Sequence, residues 1–320
     1  MKIGIVTMNT PERQRMFMEH AYPEMEISVV AATASEEEKA DACRDADAVI
    51  MNAPGISLEF LKDCHNVKLL QSTFAGYDNI DIKGINDLGI SFANNGGGNA
   101  IPVAEYTMGL INGVTRGVFR GVQNAREGNW NIGLREFPTW ELTGKCVGII
   151  GMGAIGQRVA QILTGYECDT VYTKRTRVST EREKELHARY LPLEELLQVA
   201  DYVTIHTALN QSSRGMIGKE QLALMKPSAV IINTTRGAVI DQEALYEALT
   251  TGGIAGAALD VLAEEPTPQD HPIWQLDNVV ITPHQSGISR ESVARSAAFS
   301  FDNVRRAVLG EPIQSLITPE

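Results

Sequence analysis

The chain has 320 residues, and its 28 Lys and Arg against 40 Asp and Glu give a formal net charge of −12. At about 150 residues per domain, this length predicts roughly two domains. The hydrophobic content of 43% excludes a disordered chain. The acidic balance argues against nucleic acid or an anionic membrane as a partner, because both need a basic face.

The sequence carries no evident signal for a membrane or a metal. No apolar run reaches the roughly 18 residues of a membrane span, and the N-terminal MKIGIVTMNT has the pattern of a core strand. The four cysteines are scattered without C-x-x-C spacing, so we expect neither a metal site nor a disulfide framework. These features predict a cytoplasmic α/β protein.

Short β-branched runs alternate with helix-period segments along the chain, a pattern that favours parallel sheets covered by helices. In a first series, up to about residue 95, the predicted strands begin at Lys2, Glu26, Asp47, Lys68 and Ile90. This series predicts a small doubly wound domain. The stretch NNGGGNAIPVAE from Asn94 follows, and its glycines can act as a hinge.

A long helix is predicted after the hinge. Pro102 suits its first turn, and an apolar face from Val103 to Val118 continues it towards Arg126. In the second series, the predicted strands begin at Lys145, Asp169, Asp201, Ser228, Ile254 and Asn278. Six strands with helices between them predict a Rossmann-type sheet.

The C-terminal segment is predicted to be a separate helix. It begins at about Ser289, and Gly310 followed by Pro312 gives it a stop signal. Such a helix is too short to form a domain, so we expect it to pack on the first domain.

A glycine-rich turn lies between the first strand of the second series and the next helix. Gly151, Gly153 and Gly156 form G-M-G-A-I-G after the apolar run CVGII. In this context the glycines permit a tight turn, a close approach of a pyrophosphate and close packing of helix on strand. The turn predicts a dinucleotide site at a helix N-terminus.

The end of the next strand predicts which dinucleotide binds. An acidic residue there would bind the ribose 2′-hydroxyl of NAD, but Lys174, Arg175 and Thr176 occupy the place. Cations pair well with a 2′-phosphate, so we predict a preference for NADP(H), with NAD(H) as a weaker cofactor. The alternative is that they are solvated surface cations.

Three reactive residue types follow three later strands. Arg236, Glu265 and His284 come after SAVIINTT, IAGAALDV and NVVITP. Ligands bind outside the carboxyl ends of parallel strands, and these types suit binding of a keto acid, orientation of a histidine and proton transfer. His206 also ends a strand, and either lines the cofactor cleft or is a buried structural histidine.

The chain resembles the D-isomer-specific 2-hydroxyacid dehydrogenases. The matching stretches begin at Phe74 (FAGYDNID), Asn99 (NAIPVAE), Glu141 (ELTGKCVGIIGMGAIG), Asn233 (NTTRGAVID), Ala258 (ALDVLAEEP) and Thr282 (TPHQSG). They follow the family's order over most of the chain. The resemblance implies a Rossmann cofactor domain, residues 99–288, inserted into a flavodoxin-like substrate domain, residues 1–98 plus 289–320.

The resemblance also implies roles for single residues. Arg236 would bind the substrate carboxylate and carbonyl, and Glu265 would pair with the acid–base His284. Backbone N–H groups of the loop Phe74, Ala75 and Gly76 would bind the carboxylate. Implied cofactor contacts, with Asp260 at the nicotinamide carboxamide, are Gly151, Gly153, Ala154, Ile155, Gly156, Lys174, Arg175, Thr176, His206, Thr207, Thr234, Thr235, Asp260 and Gly287.

The implied reaction transfers a hydride between NAD(P)H and C2 of a small 2-oxo acid, giving a D-2-hydroxy acid. Glyoxylate, hydroxypyruvate or a small apolar 2-oxo acid fits the uncharged loop at Phe74, whereas a phosphorylated substrate would need a cation there. A homodimer through the cofactor domain is expected, with the domains closing over the substrate. The alternatives are a phosphite or formate dehydrogenase of the same fold and a nucleotide-sensing corepressor that binds proteins.

Overall fold

The computed structural model describes residues 1–53, 55, 57–130 and 139–318. The chain divides into two compact units, of which the first comprises Met1–Asn99 with Ile288–Glu320 and the second Ala100–Gly287. Each unit is built on its own sheet, which confirms the predicted class of two α/β domains with parallel sheets. No helix among the described residues is long and apolar enough to cross a membrane.

The first unit contains a six-stranded sheet. Its strands are β1 (Lys2–Thr7), β2 (Glu26–Ala31), β3 (Ala48–Asn52), β4 (Leu69–Ser72), β5 (Ser91–Ala93) and β13 (Leu316–Ile317). The order is β13-β5-β4-β3-β1-β2, and only the β13–β5 pairing is antiparallel. The predicted strands are all present, but β13 was missed, because two paired residues show no periodic pattern.

Helices cover both faces of this sheet. They are α1 (Pro11–Met18), α2 (Glu36–Cys43), α3 (Ile82–Asp87) and α11 (Arg290–Leu309). The predicted C-terminal helix is therefore present, capped by the Ser289 side chain and ended by Gly310 at φ 76°. It packs in this unit, where Phe301 and Phe17 lie in one core with Ile5 and Ile50.

The second unit contains a seven-stranded parallel sheet. Its strands are β6 (Cys146–Ile150), β7 (Asp169–Thr173), β8 (Ala188–Tyr190), β9 (Tyr202–Ile205), β10 (Val230–Asn233), β11 (Gly256–Leu259) and β12 (Val279–Ile281). The strand order is β12-β11-β10-β9-β6-β7-β8. From β6 the chain adds strands on one side up to β8, and from β9 it adds them on the other side up to β12, so the direction of winding changes between β6 and β9. This switch point is where an open parallel sheet leaves a crevice for a ligand.

In the second unit, one helix predicted from the sequence is divided into two. The helices of this unit are α4 (Ala100–Thr115), α5 (Val118–Arg126), α6 (Ala154–Leu163), α7 (Thr180–Leu186), α8 (Leu193–Val199), α9 (Lys219–Leu224) and α10 (Gln242–Thr250). The prediction of one helix as far as Arg126 was wrong, because Gly117 adopts φ 62° and separates α4 from α5. Val118 is consequently 51% exposed instead of lying on a buried face.

Candidate active site

The glycine turn after β6 has the shape that a dinucleotide requires. Gly151 has φ 98°, and a β-carbon there would lie 2.5 Å from the backbone oxygen of His206. A β-carbon on Gly156 would overlap the Gly151 carbonyl oxygen, so helix α6 packs closely on the turn. Gly153, in contrast, has open space beside it. Two glycines are thus needed for packing, and the third leaves room for a ligand.

The N-terminus of α6 faces this open space. Ala154 and Ile155 are its first residues, and no side chain caps the helix at Gly153. The first N–H groups of a helix lack partners inside the helix and carry a partial positive charge, which suits a pyrophosphate. The residues therefore fit the predicted dinucleotide on geometry alone.

The end of β7 lies directly beside the turn. The Gly151 N–H donates to the carbonyl of Thr173, the last residue of β7, at 2.9 Å. Lys174, Arg175 and Thr176 follow and are all exposed. No ion pair of Lys174 or Arg175 is found within the described ranges. These two cations are therefore available to an anion beside the turn.

His206, at the end of β9, is a buried residue. Its Nε2 lies 2.9 Å from Thr204 Oγ1, and its Nδ1 has no hydrogen-bond partner among the described residues. Burial lowers the pKa of His206 to about 3, so the ring is neutral. The backbone of His206 and Thr207 borders Gly151. The ring fits the alternative of a buried structural histidine, and the backbone, which borders the glycine turn, fits the alternative of a residue lining the cofactor cleft.

Arg236 is presented by a turn that Asn233 organises. The Asn233 side chain accepts from Thr235 N–H at 3.0 Å and from Thr235 Oγ1 at 2.9 Å. Its amide donates to the Arg236 carbonyl at 2.9 Å. Arg236 itself donates from Nη1 to the Thr235 carbonyl at 2.8 Å. Sequence reasoning missed this role of Asn233, although an Asn at the end of a strand is a turn signal.

Thr234, in the same turn, is 5% exposed and lies inside the unit. Its Oγ1 is 3.1 Å from Thr107 Oγ1 of α4. The hydroxyl is thus engaged with a helix.

Glu265 and His284 form a close pair. The distance from His284 Nδ1 to Glu265 Oε2 is 2.6 Å, and Glu265 Oε1 accepts from Leu262 N–H at 3.0 Å. Burial raises the pKa of Glu265, but the bonds from His284 and Leu262 and the charge of Arg236 outweigh it, so the net shift is downward. Glu265 is therefore an anion at neutral pH and can hold the imidazole in one orientation.

Asp260 holds the loop that carries His284. Its Oδ1 accepts from Thr282 Oγ1 at 2.7 Å and from Gln285 N–H at 3.1 Å, and its Oδ2 accepts from Ser286 N–H at 2.9 Å. The carbonyl of Asp260 also accepts from His284 N–H at 2.8 Å. These bonds fix His284 at φ 49°, an unusual conformation for a non-glycine residue. Both carboxylate oxygens are thus engaged within the protein.

The loop also has a side-chain support that the sequence did not reveal. Gln285 Nε2 donates to Tyr106 OH of α4 at 2.8 Å. The sequence places Tyr106 only within the apolar helix face from Val103 to Val118. The periodicity of a helix gives no information about a hydrogen-bond partner that is distant in the sequence. Gly287, also predicted at the cofactor site, is the last residue of the second unit.

In the first unit, the predicted substrate loop turns its carbonyls into the protein. Asn95 N–H donates to Phe74 O at 3.0 Å, and Asn94 Nδ2 donates to Ala75 O at 2.8 Å. Ser72 Oγ accepts from Phe74 N–H at 3.1 Å. Within the described part of the chain, the N–H groups of Ala75 and Gly76 have no such partner. Two donors are left for an anion.

Comparison with known proteins agrees with this geometry. The sequence profile named "D-isomer specific 2-hydroxyacid dehydrogenase, NAD binding domain" matches residues 108–286. Glyoxylate reductase of Korarchaeum cryptofilum is 34% identical over 318 residues, which cover 98% of this chain and 95% of that protein. Glyoxylate reductase of Aeropyrum pernix is 37% identical over 286 residues, which cover 87% and 84% respectively.

A solved structure shares the whole architecture. An acyclic imino acid reductase, described in complex with NADPH and D-Arg, matches 99% of this chain and 100% of its own with a TM-score of 0.85 and 27% identity. The profile covers more than half of the chain, and the two curated relatives exceed 30% identity over most of it. This chain therefore belongs to the D-isomer-specific 2-hydroxyacid dehydrogenase family and is an oxidoreductase that uses a nicotinamide cofactor on 2-oxo or 2-hydroxy acids.

Proposed function

We propose that this enzyme reduces a small 2-oxo acid, such as glyoxylate, hydroxypyruvate or a small apolar 2-oxo acid, to the D-2-hydroxy acid with NADPH as the preferred cofactor. The observation that carries the proposal is the 2.6 Å pair of His284 and Glu265 beside β11 and β12, with Arg236 at the end of the adjacent β10. A bound nicotinamide dinucleotide would supply the hydride that reduces C2.

The three side chains divide the remaining work. Arg236 binds and polarises the 2-oxo acid, because its planar fork matches a pair of oxygens. His284, in its protonated form, donates its proton from Nε2 to the forming alkoxide, since its Nδ1 is directed at Glu265. Glu265, through its contact with Nδ1, holds the ring in one orientation.

The loop Phe74–Gly76 supports the choice of a small, unphosphorylated substrate. We assign the N–H groups of Ala75 and Gly76 to the substrate carboxylate. The carbonyls of Phe74 and Ala75 accept hydrogen bonds inside the unit, so these N–H groups are the ones the loop can offer. The loop contains no Lys or Arg. A phosphate on the substrate would add charge that the loop cannot pair.

The substrate class is tested by steady-state kinetics with glyoxylate, hydroxypyruvate, pyruvate, 3-phosphohydroxypyruvate, phosphite and formate. The proposal expects the highest kcat/KM with one of the first three. A highest value with phosphite or formate would place the enzyme with the dehydrogenases of those acids. The absence of turnover with every substrate would favour a nucleotide-sensing binding protein.

The cofactor preference is assigned to Lys174 and Arg175, which are exposed beside the glycine turn. Replacing both residues in Lys174→Ala/Arg175→Ala is expected to raise KM for NADPH by about 100-fold, because two charge-assisted contacts to a phosphate are lost. KM for NADH should change by less than about threefold, since its ribose carries no phosphate.

Lys184→Ala/Arg189→Ala in the same unit removes the same charge and serves as the control. Arg189 pairs with Asp169, and neither residue lies in the loop after β7. Equal changes of KM for NADPH in the two double variants would show a general effect of charge. A wild-type enzyme with a higher kcat/KM for NADH than for NADPH would contradict the proposed cofactor.

We further propose a homodimer through the cofactor-binding unit. Helix α5 has no buried residue, and Val118, Phe119 and Val122 are 51%, 41% and 47% exposed on it. An apolar helix face of this kind is typical of an interface. Val118→Asp/Val122→Asp should convert the dimer to a monomer in analytical ultracentrifugation. A wild-type chain that sediments as a monomer would refute the assignment.

A further inference from the structure

Arg177 is the third cation after β7, and its side chain is directed at a buried carboxylate. Its Nε and Nη2 donate to Glu183 Oε1 and Oε2, each at 2.7 Å, which makes a bidentate ion pair. The Glu183 side chain is only 9% exposed, although it lies on a surface helix. By residue type, Arg177 would be grouped with Lys174 and Arg175 as a phosphate ligand. Its geometry differs from theirs.

The pair is part of a larger cluster beneath the loop. Tyr172, which is fully buried in β7, donates from its hydroxyl to Glu183 Oε1 at 2.6 Å. The same hydroxyl accepts from Val178 N–H at 3.2 Å. The Arg177 guanidinium also lies over the Tyr190 ring, 5.6 Å from its centroid. Side chains from β7, α7 and β8 thus converge on the loop between Thr173 and Ser179.

The charge state of the cluster is fixed over the ordinary pH range. The bonds from Arg177 and Tyr172 lower the pKa of Glu183 to about 2 despite burial. Burial and the neighbouring Glu183 raise the pKa of Tyr172 to about 12. Glu183 is therefore always an anion and Tyr172 always a donor in a working enzyme.

Both ends of the loop are tied to the glycine turn and its helix. At one end, Thr173 O accepts from Gly151 N–H at 2.9 Å. At the other end, Arg182 of α7 donates from Nε to Gln157 of α6 at 2.7 Å. The exposed residues 174–176 therefore span two anchored points, and the cluster fixes their path between them.

We propose that Arg177, Glu183 and Tyr172 are positioning residues for cofactor choice, holding Lys174–Thr176 in place for a 2′-phosphate without contacting it. This inference rests on the proposed preference for NADPH. It reverses the role that residue type gives to Arg177, because its guanidinium is directed at a buried carboxylate and its charge is paired there.

Glu183→Gln distinguishes positioning from direct contact by the sign of its effect. If Arg177 bound the phosphate, removal of the competing carboxylate would leave NADPH binding unchanged or tighter. If the cluster positions the loop, binding weakens. We expect the Kd for NADPH, measured by titration calorimetry without substrate, to rise by about tenfold, with the Kd for NADH changed less than about twofold.

Tyr172→Phe provides a second variant that leaves the ion pair intact. It removes only the hydroxyl that joins Glu183 to Val178, so a smaller rise of the Kd for NADPH, about threefold, is expected. Glu181→Gln is the matched control. Glu181 is exposed on the same helix and is in no ion pair found among the described residues, so its replacement should leave both constants unchanged.

The readout is the ratio of the Kd for NADPH to the Kd for NADH. A loss of folding would not shift this ratio, because it would reduce the binding of both cofactors equally. An unchanged or lowered ratio of Kd for NADPH to Kd for NADH in Glu183→Gln would overturn the positioning role. The wild-type ratio tests the proposed cofactor separately. A wild type that prefers NADH contradicts the cofactor, while a ratio that still rises in Glu183→Gln supports the positioning role.

Discussion

Replacing His284 with Ala is expected to lower kcat by about 10³-fold while leaving the Kd for NADPH within about twofold of the wild type. The reason is that no other described side chain in the His284 loop can donate a proton to an alkoxide at neutral pH. Stopped-flow or steady-state reduction of glyoxylate measures the first quantity, and fluorescence titration of the cofactor measures the second.

His65→Ala is the matched control for this experiment. His65 is exposed in the first unit, and its replacement should leave kcat unchanged. If kcat of His284→Ala lay within about threefold of the wild type, the assignment of His284 as acid–base would be wrong. A parallel loss of NADPH binding would instead indicate that the loop after β12 had collapsed.

Glu265→Gln extends the test to pH. The neutral amide keeps the size of the side chain but removes the negative charge 2.6 Å from the ring. Since the pKa of Glu265 is lowered, the wild type should lose reductive activity only as the pH falls through that lowered pKa, whereas Glu265→Gln should have a low kcat/KM over the whole range without this acidic limb. An unchanged profile of kcat/KM against pH would show that the pair does not control the proton.

Replacing Arg236 with Lys is expected to lower kcat/KM for the 2-oxo acid by about 10²- to 10³-fold. Lysine keeps the positive charge, but it cannot bind two oxygens with a planar fork. Much of the loss should appear as a higher KM for the acid, with the Kd for NADPH unaffected. Initial rates over a range of substrate concentrations separate KM from kcat.

An analogue without a carboxylate makes this prediction sharper. Methylglyoxal has the carbonyls but no carboxylate, so the ratio of kcat/KM for pyruvate to that for methylglyoxal should fall in Arg236→Lys. Arg189→Lys, at an exposed arginine paired with Asp169, is the control and should leave the ratio unchanged. A wild-type-like KM for pyruvate in Arg236→Lys would remove Arg236 from the binding of the acid.

Local signals in the sequence predicted most of the fold. Strand period, glycines and caps depend on neighbouring residues, so eleven of the thirteen strands could be placed in outline together with the final helix, which is capped by Ser289 and ended by Gly310. The two strands that were missed, β8 and β13, contain three and two residues. Their pairing is decided by the neighbouring strand rather than by their own composition.

In the functional site, too, some features follow from the local sequence and others from contacts between distant residues. The sequence by itself determined the residue types at the carboxyl ends of the strands and the glycines of the turn, because a parallel sheet brings all such ends to one edge. It could not show that Asp260 binds the His284 loop with both oxygens, or that Arg177 is paired with Glu183 while Lys174 and Arg175 form no ion pair within the described ranges. Charge is a property of a residue type, whereas its availability depends on which partners the tertiary structure brings within hydrogen-bond distance.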